Sequence, residues 1–174
     1  MSRGYQITWA NATATITCED TLEVKLDALG ILSEDEMNAL LREELVVDGW
    51  TLQDDGSLTL NINGADAVLP PGGKIITVSM QKTQEVAARS YEGQAQADAE
   101  LVKVKEAATA KETHKIASQL LAMEPTIRQR TNEMIQRVYL RALKQKAAAL
   151  GEISGIQENL GSDGTLEVTI KVKV

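Results

Sequence analysis

The feature that most constrains this sequence is a long stretch of strong helix formers from Thr83 to Leu150. Alanine, Glu, Gln, Lys and Arg dominate it, and these residue types favour the α-helix over the β-strand. Its apolar residues lie close to one narrow stripe, namely Ala97, Leu101, Val104, Ala108, Ile116, Leu120 and Met123. Charged residues at 111, 112 and 115 interrupt the stripe, which is typical of a coiled-coil seam rather than of a core-facing helix. We therefore expect a helical arm that needs a partner.

Pro125 is the only proline in this stretch and determines the shape that we expect for the arm. Proline inside a helix costs roughly 3 kcal/mol or more, and the residue before it avoids the α-helical region. The sequence therefore favours a hairpin of two helices that turns near Pro125, with a kinked rod as the alternative. The second helix is expected from about Thr126 to Gly151, while Gly93 marks a bend or a frayed turn in the first. The apolar stripe of the second helix is Ile127, Met134, Ile135, Val138, Ala142 and Leu143.

Residues 1–81 carry the signals of a small antiparallel sheet. The segments with strand patterns are Tyr5–Trp9, Thr13–Cys18, Trp50–Gln53, Ser57–Ile62, Ala67–Leu69 and Lys74–Met80. The first two alternate with period two and predict a hairpin that turns at Ala10–Ala12. The next two predict a hairpin that turns at Asp54-Asp55-Gly56, since Asp-Gly accommodates the positive φ of a tight turn.

One helix is expected to back this sheet. It begins at Ser33, because Ser33 and Glu36 have the S-x-x-E spacing of a capping box. Gly49 is placed to end it. The buried stripe expected for this helix is Met37, Leu40, Leu41 and Leu45, with Val46 as a further candidate at its edge.

The last segment, residues 151–174, predicts one more β-hairpin. In its second strand, Leu, Val and Ile alternate with Thr, Glu and Lys, so one face must be buried. A two-stranded hairpin is marginally stable alone, so we expect it to dock on the first sheet, on the helices or on another copy. The chain is thus expected to be α+β, with a small α+β domain over 1–81, a long helical arm over 82–150 and the hairpin over 151–174.

Composition and charge exclude several classes of protein. Hydrophobic residues at 43% and charged residues at 25% are ordinary for a folded chain, although aromatic residues at 3% leave few large side chains for a globular core. A net charge of -7 disfavours nucleic acid or an anionic bilayer as a partner of the whole surface. The single cysteine excludes an internal disulfide, and no apolar run has membrane-spanning length. We expect a cytoplasmic protein.

The sequence offers no convincing catalytic, metal or cofactor site. His114, the only histidine, lies mid-helix among charged residues, so a solvated face is favoured over a general base. Cys18 has acidic neighbours that disfavour its thiolate, so a packing role is favoured. Gly72-Gly73-Lys74 lacks the first glycine and the hydroxyl residue of a phosphate-binding loop. The acidic clusters at 34–36 and 54–55 lack the spaced ligands of a calcium loop. We therefore expect a protein that is not an enzyme and has no cofactor.

One face of the late helix is strongly basic. Residues 126–150 contain six Lys or Arg and one acidic residue, whereas residues 1–80 contain four Lys or Arg and thirteen acidic residues. The basic residues Arg130, Arg137, Arg141 and Lys144 recur at spacings that place them along one side. They predict contact with an acidic surface of the same chain or of another copy, or with a polyanion. A nucleic-acid-binding adaptor is the alternative function, disfavoured by the scarcity of aromatic residues for base stacking.

Both ends of the chain resemble a known bacterial family. The segments that carry the resemblance are Met1–Tyr5, Leu29–Leu32, Ser33–Leu45, Asn132–Val138, Ala142–Ala148 and Leu150–Ile153. They are similar to the accessory domains of FtsH ternary systems, which are conflict or stress assemblies. Such assemblies combine an AAA+ ATPase, often with MoxR-type ATPases, and von Willebrand A-domain proteins.

The resemblance implies a non-enzymatic accessory or scaffold subunit that binds those ATPase and A-domain proteins. The narrow helical seam adds a second copy of this chain as a further expected partner. No catalytic motif is part of the resemblance. The residues that we expect to make the protein contacts are Leu101, Val104, Ile116, Leu120, Met134 and Val138.

Overall fold

The computed structural model describes residues 8–26, 29–161 and 166–173. These residues form an α+β fold, as predicted, with two helices and seven strands. The elements are β1 (Ala10–Lys25), α1 (Glu34–Val47), β2 (Thr51–Leu52), β3 (Leu58–Ile62), β4 (Ala65–Leu69), β5 (Ile75–Ser90), α2 (Gln94–Leu150), β6 (Glu152–Leu160) and β7 (Leu166–Lys173). The first five strands form an antiparallel sheet in the order β1-β5-β4-β3-β2, and β6 pairs with β7 in a second sheet.

The chain groups into two compact units. The first comprises Met1–Leu22 and Ser79–Met123, and the second comprises Glu23–Val78 and Glu124–Val174. Strands β1 and β5 and helix α2 each supply residues to both units. The predicted division of the chain at residues 81 and 150 stays a prediction.

The first unit packs one helical segment, the early part of α2, against parts of β1 and β5. Its buried apolar side chains are small or of medium size, namely Ala12, Ile16, Cys18, Ala88, Ala97, Ile116 and Leu120. The Cys18 Sγ lies 3.8 Å from the carbonyl oxygen of Thr109 on α2. Between the two strands, the hydroxyl oxygens of Thr17 and Thr83 are 3.1 Å apart. Cys18 is 3% exposed, which confirms the predicted packing role.

Helix α1 of the second unit begins and ends where the sequence predicts. Ser33 caps its start: the Glu36 backbone N–H donates to the Ser33 hydroxyl, and the Glu36 carboxylate accepts from the Ser33 backbone N–H. Gly49, with φ at +93°, ends the helix. There the Trp50 N–H donates to the Leu45 carbonyl and the Gly49 N–H to the Val46 carbonyl, which is the Schellman pattern. The stripe buried beneath the helix contains four of the predicted residues, Met37, Leu40, Leu41 and Leu45. The further candidate Val46 is 50% exposed and lies outside the stripe.

Two tight turns set the register of the short strands. The predicted Asp54-Asp55-Gly56 turn joins β2 to β3, with Gly56 at φ +82°. A second turn at Asn63-Gly64, where both residues have positive φ, joins β3 to β4. Asn-Gly is itself a strong hairpin signal, so the longer β4 could have been predicted from the sequence; only Ala67–Leu69 was.

The predicted C-terminal hairpin is present as β6 and β7. Ile153 pairs with Val172 and Ile156 with Ile170, so these apolar side chains share a face. The Lys144 ammonium of α2 lies 3.3 Å from the Glu158 carboxylate of β6. Helix α2 ends at Leu150, as expected. A Cβ at Gly151 would collide with the Lys173 carbonyl oxygen, so only glycine fits there. Thr165 and Val174, which the prediction includes, lie outside the described residues.

The helical hairpin is the main prediction that the structure contradicts. Helix α2 runs unbroken for 57 residues, with Pro125 inside it. Proline lacks the N–H that would bond to the Leu121 carbonyl, and Leu121 and Pro125 are both exposed, so the missing hydrogen bond belongs to a solvent-facing part of the helix. Packing of residues before and after Pro125 thus outweighs its local preference. Gly93, with φ at +110°, lies ahead of the helix rather than at a bend within it.

Two strands are longer than the sequence indicates. Strand β1 continues through Ala10–Ala12, so the predicted turn there is wrong; Tyr5–Ile7 lie outside the described residues. Strand β5 continues to Ser90, although Thr83–Ser90 consists mostly of helix-favouring residues. In this part of β5 the side chains of Ala88 and Ser90 are buried while Ala87 and Arg89 are exposed. Pairing with β1 therefore overrides helix propensity in the first unit.

Candidate protein-interaction surfaces

The six predicted contact residues differ in exposure. Ile116 and Leu120 are buried in the first unit. Met134 and Val138 are buried in the second. Leu101 and Val104 are half-buried. The part of the stripe that was expected to need a partner is thus largely covered by the chain itself, and the role of the six in binding another protein stays a prediction.

Two of the four predicted basic residues form a charged cluster with α1 in the second unit. Arg137 donates to the Glu44 carboxylate at 3.0 Å and to the Asp48 carboxylate at 2.5 Å. Arg141 donates to Glu44 at 2.9 Å and to Glu43 at 2.5 Å. These two guanidinium groups, one turn apart on α2, therefore connect three carboxylates at the end of α1. The acidic partner of this basic face lies in the same chain.

Glu44 is at the centre of this charged cluster. It is 6% exposed, so burial raises its pKa, but hydrogen bonds from Arg141 and then Arg137 outweigh that effect and the pKa of Glu44 is lowered overall. The side chain of each arginine is 41% exposed. The cluster is therefore an anionic group buried beneath a half-exposed cationic cover, and the charge of Glu44 is retained at neutral pH.

The other two basic residues behave differently. Lys144 forms the ion pair with Glu158 of the C-terminal hairpin. Arg130 is exposed and makes no hydrogen bond or ion pair with any residue that the structure describes. The spacing thus places all four residues on one helix, but only Arg130 remains free to meet an external anion.

The first unit has an exposed aromatic pair that sequence reasoning missed. Trp9 and Tyr91 are 56% and 65% exposed, and their ring centroids are 5.9 Å apart in an edge-to-face arrangement. Tyr91 follows β5 and Trp9 precedes β1, so the two strands bring them together. Trp9 ends a predicted strand, but Tyr91 lies in the stretch that the sequence predicts to be helical. The pairing of β1 with β5 that brings the two residues together could therefore not be predicted.

A second buried carboxylate lies in the first unit. Glu112 of α2 is 7% exposed and its Oε1 lies 2.6 Å from the Lys82 ammonium on β5. The Lys82 ammonium at this ion-pair distance lowers the pKa of Glu112, against the opposing effect of burial. The charged residues that interrupt the helical stripe thus include one that faces the strands rather than solvent.

The remaining chemical candidates add no catalytic arrangement. His114 is exposed, as predicted. Across the described parts of the chain, no group of three or more His, Cys, Asp or Glu is placed to hold a metal ion. Of the two described helices, neither combines the length and the apolar character needed to cross a membrane.

Comparison with known proteins gives one match. The family model described as FtsH ternary system domain X5 matches residues 1–174, the full length of the sequence. No curated protein and no solved structure matches the chain. The match agrees with the resemblance of the two ends, and it extends across α2 as well.

Proposed function

Because the chain belongs to the FtsH ternary system domain X5 family, we propose that it is a non-enzymatic accessory subunit that acts by binding proteins. The observation that carries this proposal is the family match over the entire sequence, since a ternary system is by its name built from several components. The partners that we propose are the AAA+ ATPase and the von Willebrand A-domain protein of the same system, in the cytoplasm.

Exposed apolar side chains in the first unit support binding to a protein. Besides Trp9 and Tyr91, Val102 and Leu121 of α2 are 55% and 63% exposed. Tryptophan and tyrosine are enriched among the residues that dominate binding energy at protein interfaces. In a sequence with only 3% aromatic residues, placing two of them together in solvent is costly unless another surface covers them. We therefore propose the Trp9–Tyr91 pair as a contact.

The predicted contacts of the helical arm fit this proposal only in part. Leu101 and Val104 are half-buried and accessible to a partner. The four other predicted contacts are buried and serve the fold of the chain itself. A second copy of the chain stays an additional proposed partner.

The nucleic-acid alternative receives no support from the charges of the second unit. Arg137 and Arg141 are paired with Glu43, Glu44 and Asp48. Phosphate groups would have to displace these carboxylates before they could bind the two guanidinium groups. We therefore propose protein binding alone.

The proposal is tested by binding between purified components. The tagged full chain is incubated with the AAA+ ATPase and, separately, with the A-domain protein encoded in the same system, and affinity is measured by biolayer interferometry. We expect specific binding to at least one, and the double variant Trp9→Ala/Tyr91→Ala should weaken it by about tenfold or more. Leu52→Ala, which alters a 59% exposed apolar residue of the second unit, is the control and should bind as the unaltered chain does.

Two results would contradict these proposals. A chain that binds neither protein, and that sedimentation shows to be a monomer at every concentration, would refute the proposed function. Binding that is unchanged in the aromatic double variant would refute the Trp9–Tyr91 contact while leaving the function in place. Thermal unfolding followed by circular dichroism establishes that each variant is folded.

A further inference from the structure

A cleft of about 300 Å³ lies in the second unit, where α2 faces the end of α1 and strands β3 and β5. Its apolar walls include Leu45, Trp50, Leu60, Ile62, Ile127 and Met134. Trp50 is 8% exposed and Met134 only 1%. Leu60 and Ile62 are half-buried, so the walls belong largely to the packed core of the unit.

Charged side chains also line the cleft, and they divide into two groups. Asp48 and Arg137 are paired with each other, so their charges are compensated. Glu133 accepts a hydrogen bond from Gln129 at 2.9 Å but has no ion pair with any residue in the described ranges. Arg130 forms neither a hydrogen bond nor an ion pair there. The cleft thus offers one group that only donates and one that only accepts, three residues apart on the same face of α2.

We propose that this cleft binds one apolar side chain of a peptide segment from a partner protein. Arg130 then donates to a main-chain carbonyl oxygen of the segment, and Glu133 accepts from a main-chain N–H. The inference rests on the proposed function, since it takes the occupant to be a protein. It goes further by assigning a site in the second unit and the chemistry that the site recognises.

Size and polarity both favour this occupant. Pockets for small molecules and cofactors span roughly 300–1,000 Å³, so this cleft is at the lower limit and suits a single large side chain. A peptide group presents a donor and an acceptor that point in opposite directions, which matches one carboxylate and one guanidinium at the same cleft. A hydrocarbon chain would fill the apolar part but make no contact of its own with either charged group.

The test is an NMR titration of the full chain, with labelled Ile and Met methyl groups, against three probes. N-acetyl-L-leucine N-methylamide has both the side chain and the main chain, N-acetylglycine N-methylamide has the main chain alone, and 3-methylbutan-1-ol has the apolar group without a peptide. We expect saturable shifts of the Met134 and Ile127 methyl groups with the leucine probe. The glycine probe should cause none, and the alcohol should bind more weakly than the leucine probe.

Variants separate recognition of the main chain from filling of the cavity. Arg130→Ala/Glu133→Ala should weaken binding of the leucine probe by about tenfold, because two hydrogen bonds to charged groups are lost, and should leave binding of the alcohol unchanged. Arg128→Ala is the matched control, since Arg128 pairs with Glu124 and does not line the cleft. It should bind all three probes as the unaltered chain does.

Two outcomes would overturn the inference. Absence of saturable shifts with the leucine probe would mean that the cleft takes no apolar side chain. Equal binding of the leucine probe and the alcohol, unaffected by the double variant, would mean that the cleft accepts any apolar molecule and does not recognise peptides. Neither outcome touches the proposed function, which the binding experiment with purified partners tests independently through Trp9 and Tyr91.

Discussion

Two glutamates, one in each unit, show how differently a buried carboxylate can be compensated. Glu44 and Glu112 are equally hidden, at 6% and 7% exposed. Glu44 accepts from two guanidinium groups that also reach Glu43 and Asp48, whereas Glu112 has the single Lys82 ammonium at 2.6 Å. Arginine presents five donors in a rigid planar fork that can hold two carboxylates at once, whereas the lysine ammonium is a compact point charge without that fixed geometry. The second unit therefore has a network around its buried charge, and the first has a pair.

The largest loss of stability is expected when Arg137 and Arg141 are both removed. Arg137→Ala/Arg141→Ala leaves Glu44 buried with its charge uncompensated, and we expect the free energy of unfolding to fall by about 2 kcal/mol, below the value for a fully buried pair because both arginines are half exposed. Urea denaturation at neutral pH measures it. Either single variant should cost less than half as much, because the other arginine still donates to Glu44.

The matched control for that comparison is Arg128→Ala. Arg128 forms a pair with Glu124 one turn away on α2, and its side chain is 54% exposed. Its loss should change the free energy of unfolding by about 0.5 kcal/mol or less. If the double variant lost no more stability than this control, the network would be irrelevant to the buried charge of Glu44.

Lowering the pH should also reveal the contribution of Glu44 to stability, with a smaller change in the free energy of unfolding. The pKa of Glu44 is lowered in the folded chain, since the hydrogen bonds from Arg141 and Arg137 outweigh burial. Its contribution to stability is therefore complete above the ordinary carboxyl pKa of about 4.3 and is lost as the pH falls through the folded value. Urea denaturation from about pH 7 to about pH 3 should show a shallower loss of stability in Glu44→Gln than in the unaltered chain. If the two proteins lost stability with falling pH to the same extent, Glu44 would make no such contribution.

The smallest of the three effects is expected at Lys82. Lys82→Ala removes the ion-pair partner of Glu112, but the lysine side chain is 47% exposed, so water can partly replace it, and Lys111 and Lys115 still act on the carboxylate. Unfolding by urea should show a loss of stability smaller than that of the arginine double variant. Lys74→Ala, which removes an exposed pair with Glu34, is the control and should have no measurable effect. If Lys82→Ala lost as much stability as the arginine double variant or more, the pair in the first unit would matter at least as much as the network in the second.

Sequence reasoning succeeded where a structure depends on neighbouring residues. Ser33 and Glu36 predicted the start of α1, Gly49 its end, and Gly56 the turn between β2 and β3. It failed where contacts between distant parts of the chain determine the structure. Thr83–Ser90 favours a helix but forms a strand that pairs with β1. Pro125 favours a break, but it lies inside a helix that is packed both before and after it. Such long-range effects are outside the reach of local propensity.

The charged cluster around Glu44 shows the same limit of sequence-based prediction. The spacing of Arg137 and Arg141 predicted a common basic face and an acidic partner, and both are present. Which acids would meet them could not be predicted, because Glu44 is 93 residues away from Arg137 in the chain. The aromatic pair was missed for the same reason, since Trp9 and Tyr91 meet only through the pairing of β1 with β5.

The buried position of Cys18 gives the first unit a natural reporter. It is the only thiol in the sequence, and it is shielded between strand and helix. A thiol-reactive dye added to the unaltered chain can therefore label it only when the strand and helix part from one another. The rate of labelling under native conditions measures how often that happens, with no engineered probe to disturb the unit being observed.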